Sequence, residues 1–238
     1  LPEHQAIINR MGFNNHGVDA LIANVKRAKF QGVLGINIGK NATTPIENAV
    51  DDYLTCLTKV YDHASYITVN ISSPNTKNLR ALQSEDELSK LLGTLKEEQA
   101  RLQQQRGRYV PMAVKIAPDL NLEEIEAIAQ VVTQVEMDGV IATNTTIDKS
   151  SLGNHPLAGE AGGLSGLPVR AQSEYVLQHL VHALKGKLPV IGVGGIVAGQ
   201  DAATKKRLGA SAVQVYSGMI YQGPSLVADC VREWVHTR

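Results

Sequence analysis

The sequence predicts a single-domain α/β protein in which parallel strands alternate with crossover helices, the pattern of an α/β barrel or a doubly wound sheet. Three observations carry this. Six short apolar runs, at 32–38, 66–71, 110–116, 139–144, 189–193 and 212–216, carry Val, Ile or Ala on both faces, as buried parallel strands require. Segments of helical spacing lie between them, so each strand feeds a crossover. Finally, 238 residues with 43% hydrophobic content suffice for one sizeable core.

Taken in order, residues 7–9 form a short additional strand ahead of the first long run. The segment 46–61 spaces Val50, Leu54 and Leu57 as a helix does. The strand at 66–71 gives way abruptly to Asn70-Ile71-Ser72-Ser73-Pro74-Asn75, where Pro74 restricts Ser73 to extended or turn geometry and presents its hydroxyl at a loop start. Ser84 with Glu87 reads as a capping box ahead of Leu88, Leu91, Leu92 and Leu95, and Asn121 with Glu124 as another ahead of Ile125, Ile128 and Val132. Helix 169–184 carries Val176, Leu177, Leu180 and Val181, and a last helix, 225–236, is expected to bury Leu226, Val227, Val231 and Trp234. Two stretches, 72–83 and 145–168, follow strand ends, are rich in Asn, Ser, Thr and Gly, and have no apolar period. Loops of that length in a compact domain are usually functional lids.

Composition removes several function classes. Lys plus Arg and Asp plus Glu number 23 each, so no basic excess points to nucleic acid. Cys56 and Cys230 lack metal or CxxC spacing and suit a reducing compartment as core residues. The seven histidines form no HxxxH cluster, so no metal site is expected. No apolar run reaches the roughly 20 residues that span a bilayer, and the chain as given reads as soluble.

In α/β barrels the chemistry sits at the C-terminal ends of the strands. Here those ends offer Asn37 with Lys40, then Asn70 with Ser73 and Asn75, then Lys115, then Thr143 with Asn144 and Thr145, then Gly194 with Gly195, then Tyr216 with Ser217. The Gly192-Val193-Gly194-Gly195-Ile196 turn, with Tyr216-Ser217-Gly218 one unit later, resembles the phosphate cradle that barrels build after their last two strands, although tight turns alone also select glycine. Lys115 lies opposite Val114 and Ile116 on its strand. An ammonium there needs an anionic or carbonyl partner, or else snorkels to the rim. Asn9, Asn14, Asn37, Asn70, Asn75 and Asn144 recur at these positions. Side-chain amides both donate and accept, so as a set they match a small planar ligand bearing carbonyls and N–H groups, such as a pyrimidine ring.

The runs Ile8-Asn9-Arg10-Met11-Gly12-Phe13-Asn14-Asn15, Gly35-Ile36-Asn37-Ile38-Gly39-Lys40-Asn41, Val114-Lys115-Ile116-Ala117-Pro118-Asp119 and Ala142-Thr143-Asn144-Thr145-Thr146 carry a family resemblance. So do Asn70 through Asn75, Gly162-Gly163-Leu164-Ser165-Gly166, the glycine turn and Tyr216-Ser217-Gly218. Together they resemble the class 2, quinone-dependent, membrane-associated dihydroorotate dehydrogenases across essentially the whole chain. The resemblance implies an FMN-dependent TIM-type (β/α)8 barrel that oxidises dihydroorotate to orotate. It implies Ser73 as the base at substrate C5, where class 1 members carry Cys. FMN would be held by Asn37, Asn70, Lys115, Thr143, Gly166, Gly195, Tyr216 and Ser217. Substrate would contact Asn9, Arg10, Met11, Gly12, Phe13, Asn14, Asn70, Asn75, Asn144 and Thr145.

The same resemblance marks a departure. The family's N-terminal helical quinone-binding segment and first two βα units have no counterpart here, so an incomplete barrel is expected, as six or seven strands fall short of eight. Quinone and membrane contacts would belong to that missing segment, on the cytoplasmic face of the bacterial inner membrane or on the mitochondrial inner membrane. Two other readings stay open at this stage: a phosphate-binding barrel lyase or isomerase, and a flavin-poor truncated barrel without turnover.

Overall fold

The computed structural model describes residues 1–237. The first half runs β1 (Ala6–Asn9), α1 (Val18–Ala28), β2 (Gly35–Ile38), α2 (Ala49–Val60), β3 (Tyr66–Asn70), α3 (Glu85–Arg106), β4 (Met112–Ile116) and α4 (Leu122–Gln134). The second half runs β5 (Gly139–Ala142), β6 (Gly163–Gly166), α5 (Arg170–Leu184), β7 (Val190–Val193), α6 (Gly199–Arg207), β8 (Ala212–Gln214), α7 (Ser217–Gln222) and α8 (Ser225–His236). Six strands form one parallel sheet in the order β2-β3-β4-β5-β7-β8, which is the order of the six expected strands along the chain.

Alternation along these strands sorts the side chains. Ile67 and Val69 of β3, and Met112, Val114 and Ile116 of β4, point outward into one core with Leu88, Leu91, Leu92 and Leu95 of α3 and Ile125, Ile128 and Val132 of α4. Each of these fully buried side chains contributes about 1.5–3 kcal/mol, and Leu92→Ala would cost about 2–5 kcal/mol by opening a cavity. The opposite face carries Thr68 and Asn70 beside Ala113 and Lys115, with Asn70 and Lys115 direct register partners. The polar residues thus lie on the concave side of the sheet because the apolar ones are claimed by the helices.

Several details depart from the sequence expectations. The Asn121–Glu124 capping box forms, with Asn121 Oδ1 accepting from Glu124 N at 2.9 Å and Glu124 Oε2 accepting from Asn121 N at 2.8 Å. Ser84 is the N-cap residue of α3 but its side chain makes no capping bond, so the second box is absent. Helix α8 spans the expected residues but buries Leu226 and Cys230, with Trp234 half-buried, whereas Val227 and Val231 face outward, Val231 at 58% exposure. Apolar residues on both sides of that helix leave its periodicity ambiguous.

Residues 7–9 do form a strand, but β1 pairs antiparallel with β6 in a separate two-stranded ribbon rather than joining the parallel sheet. Strand β6 lies inside the stretch expected to be an uninterrupted loop. Its glycines permit the pairing: a Cβ on Gly162 would sit 2.2 Å from the Asn9 carbonyl oxygen, and one on Gly166 2.1 Å from that of Gln5. Helix α1, which no motif marked, half-buries Val18, Leu21 and Val25 against the core. No helix among the described residues is long and apolar enough to cross a membrane.

Candidate active site

A cavity of about 860 Å³ opens at the C-terminal ends of the parallel strands, large for a small-molecule site. Its lining includes every residue that the family resemblance assigned to substrate or cofactor contact except Arg10. The β1–β6 ribbon lies over one side of it. Alternation along β1 turns Ile7 and Asn9 toward the cavity, while Ala6 and Ile8 pack with Leu152 and Leu164 behind.

The amides around Ser73 are held in defined orientations. Asn70 Oδ1 accepts from Ser72 N at 3.1 Å, from Ser72 Oγ at 3.2 Å and from Asn144 Nδ2 at 3.4 Å. That leaves Asn70 Nδ2 as the group presented to a ligand. Asn144 Nδ2 also donates to Ser72 Oγ at 3.1 Å, and Asn144 Oδ1 accepts from Thr145 N at 2.8 Å. Beneath them Tyr53 Oη donates to the Asn70 carbonyl at 2.7 Å, and burial pushes that phenol's pKa well up. Ser72 is thus a fully buried bracket between two amides, whereas Ser73 lines the cavity and its Oγ accepts from Asn75 N at 3.3 Å. Asn75 Nδ2 reaches across to Asn9, bonding its carbonyl oxygen at 3.0 Å and its Oδ1 at 3.1 Å.

Lys115 enters the cavity from the middle of the sheet, beside Asn70. Among the described residues it has no ion pair, and burial alone lowers its pKa. A cation so placed is costly unless a ligand supplies negative charge or a carbonyl.

At the opposite end, Gly194 and Gly195 have φ of +109° and +71°, and a Cβ on Gly195 would lie 2.3 Å from Arg170 Cβ. Gly218 is equally confined, its Cβ position 2.1 Å from the Ile196 carbonyl oxygen. These contacts press the turn after β7 against the start of α5 and the start of α7 against that turn, so both turns meet at one rim of the cavity. Ser217 Oγ donates to Ser165 Oγ at 2.8 Å in the same corner. Behind the turn, Lys205 is completely buried and its Nζ donates to Ser173 Oγ at 2.9 Å, which itself donates to the Gly194 carbonyl at 3.1 Å. Burial lowers the Lys205 pKa to about 8, with Glu174 and Asp201 opposing that shift.

Two marked residues lie elsewhere. Arg10 points away from the cavity into a bidentate contact with Glu160 Oε2, both nitrogens at 2.7 Å, because its neighbours Asn9 and Met11 take the cavity side. Lys40 is buried behind the sheet, its ammonium satisfied by the carbonyls of Asn41 at 2.7 Å and Thr44 at 2.6 Å. Conversely, Ile7, Ser165, Val193, Gln214 and Ile220 line the cavity without having been marked. The in-out alternation of β1 and β7 could have indicated Ile7 and Val193; Ser165 depends on a pairing with β1 that local sequence does not announce.

Comparison with known proteins bears on the family and the fold. The family described as Dihydroorotate dehydrogenase matches residues 1–237. A protein named dihydroorotate dehydrogenase (quinone) from Neisseria meningitidis serogroup C / serotype 2a is 71% identical over 232 residues, covering 98% of this chain and 69% of that protein. The protein of the same name from Chromobacterium violaceum is 65% identical, covering 98% and 67%. The crystal structure of DHODH from Eimeria tenella in complex with ferulenol superposes with a TM-score of 0.90 at 36% identity, covering 97% of this chain and 67% of that one. The ligand-free Eimeria enzyme gives 0.89 at 37% identity, covering 98% and 69%.

Proposed function

This chain belongs to the dihydroorotate dehydrogenase family, the oxidoreductases that oxidise dihydroorotate to orotate in pyrimidine biosynthesis, and on that premise we propose that its cavity holds FMN and dihydroorotate together, with Ser73 as proton acceptor. The observation that carries the proposal is Lys115, a half-buried strand cation with no charged partner among the described residues, facing a cavity whose far rim is the confined Gly194–Gly195 turn.

The donor set fits FMN. Gly195, Tyr216 and Ser217 sit where the phosphate would be held, and Asn37, Asn70, Lys115, Thr143 and Gly166 line the remainder. Bound there, FMN supplies the acceptor for the two electrons and hydrogen that leave substrate C6. Lys115 offsets the negative charge of the ligand and in turn recovers the solvation it loses on burial. Asn9, Asn70, Asn75 and Asn144, with Met11, Gly12, Phe13, Asn14 and Thr145, enclose the planar substrate, and the fixed amide orientations set which of its edges each can meet.

Ser73 Oγ receives the C5 proton as its own hydroxyl proton passes to a water molecule, so the step is a relay through the serine, and the Asn75 N–H aimed at Oγ stabilises the alkoxide character that develops. We place the final transfer of electrons on a quinone, as the names of the relatives suggest, and the quinone and membrane contacts in the part of those proteins that this chain does not span. That reading makes the whole protein peripheral on the cytoplasmic face of the bacterial inner membrane. Stopped-flow bleaching of flavin absorbance by dihydroorotate tests the assignment: Ser73→Ala should retain flavin and slow bleaching by about 10²–10⁴-fold, and an unchanged rate would remove Ser73 from the reaction.

A further inference from the structure

We infer that Arg80 is a positioning residue for proton transfer, holding the Ser73 loop and the Asn144–Thr145 loop in one geometry without itself entering the cavity. It lies in the 3-10 turn Leu79–Gln83 after the β3 loop, and its guanidinium divides among three segments. Nε donates to the Ser72 carbonyl at 3.0 Å, one terminal nitrogen to Asp119 Oδ2 at 2.6 Å, and the other to the Thr145 carbonyl at 2.8 Å. Asp119 is the hub's second half. It accepts from Thr146 Oγ1, from Ile147 N at 3.2 Å and from Gln172 Nε2 of α5 at 3.2 Å. The pair is mostly buried, at 20% and 16% exposure, and neither side chain lines the cavity.

What Arg80 fixes is peptide planes. Because the peptide unit is rigid, anchoring the Ser72 carbonyl fixes the plane that contains Ser73 N and Cα, and anchoring the Thr145 carbonyl fixes the plane leading to Thr146. Thr146 N in turn donates to the Leu164 carbonyl at 3.0 Å in β6, so the same guanidinium ties the Ser73 loop to the ribbon that covers the site. A planar fork of donors can serve all three acceptors at once, whereas an ammonium is a point charge that could keep Asp119 but lose the simultaneous hold on both carbonyls. Arg80→Lys therefore separates positioning from the fold, since Asp119 stays paired and the cost of a bare buried carboxylate is avoided.

The inference rests on Ser73 being the proton acceptor, and a double-mutant cycle distinguishes the two. In the flavin-loaded protein, Arg80→Lys should slow reduction by dihydroorotate by about 10²-fold, the scale of a misplacement near 1 Å, while affinity for orotate, measured by titration, falls by a smaller factor. Combined with Ser73→Ala, it should add almost nothing. Amide exchange without substrate should rise at Ser73, at Asn75 and at residues 145–147 in Arg80→Lys. A normal reduction rate in Arg80→Lys, or full multiplication of the two losses, overturns the role of Arg80. A near-normal rate in Ser73→Ala overturns the Ser73 assignment itself.

Discussion

Asn75 and Asn9, 66 residues apart, clasp one another beside Ser73: the Asn75 amide nitrogen bonds both the carbonyl oxygen and the side-chain oxygen of Asn9. Strand β1 is thereby held to the β3 loop by a single donor group facing two acceptors. Asn75→Asp would set a carboxylate against those oxygens, and Asn75→Ala would simply leave them unpaired. The expected order of orotate affinity is wild type, then alanine, then aspartate, with alanine costing about 1–3 kcal/mol. Equal losses in the two variants, measured by titration, would mean that the clasp does not set the position of β1.

Lys115 makes opposite predictions for the empty and loaded protein. Burial lowers its pKa, so the charged form is penalised in the folded state, and the penalty is present below its folded pKa and relieved as pH rises through it. Lys115→Met should accordingly leave the melting temperature of the flavin-free protein unchanged or higher, yet shrink the gain that added FMN produces. Thermal melts with and without FMN check this. An undiminished gain would place the ammonium away from the ligand's charge.

Lys205 supplies a pH dependence with a definite sign. Its pKa is about 8 when folded against 10.5 as an unperturbed lysine, so between those values the unfolded chain binds the extra proton and stability rises with pH. Relative to Lys205→Met, the wild-type protein should gain about 3 kcal/mol across that window, from roughly 1.4 kcal/mol per unit of pKa. Denaturant melts of both proteins at several pH values from 7.5 to about 10 test the difference, which cancels titrations common to the two. A flat difference would mean that the Lys205 ammonium keeps its proton beneath the glycine turn.

The parallel sheet and most of the cavity were legible in the sequence because both depend on local signals. Strand cores such as Met112–Ile116 are continuous apolar runs, and a lysine or asparagine within or ending such a run is conspicuous. What escaped depends on distant partners. Gly163–Gly166 has little intrinsic strand preference, and it becomes a strand through the approach of Ala6–Asn9 and, at Leu164, of Thr146. Arg80 carries no local signal of its role, since its three acceptors come from three other segments. Arg10 lies outside the cavity for the converse reason: within a run whose neighbours line it, alternation turns Arg10 outward to Glu160. Val227 and Val231 were misplaced because their outward stripe on α8 is as apolar as the inward one.

The parallel sheet has two open edges. Strands β2 and β8 end the order β2-β3-β4-β5-β7-β8, and among the described residues neither has a second neighbour. Val33, Tyr216 and Ile220 stand exposed near them, Tyr216 at 77%. Closing a parallel barrel takes about eight strands, so six leave two rows of backbone donors and acceptors free to pair. In the 238-residue chain the amides of β4 and β5 should exchange slowest, since both strands are hydrogen-bonded on each side and buried under α3 and α4. Those of β2 and β8 should exchange much faster and become protected as concentration rises, because edge pairing between chains is the available remedy. Hydrogen exchange followed by mass spectrometry at two concentrations, with the mass in solution measured alongside, decides the matter: edge strands as protected as β4 in a verified monomer would show that the sheet closes on itself.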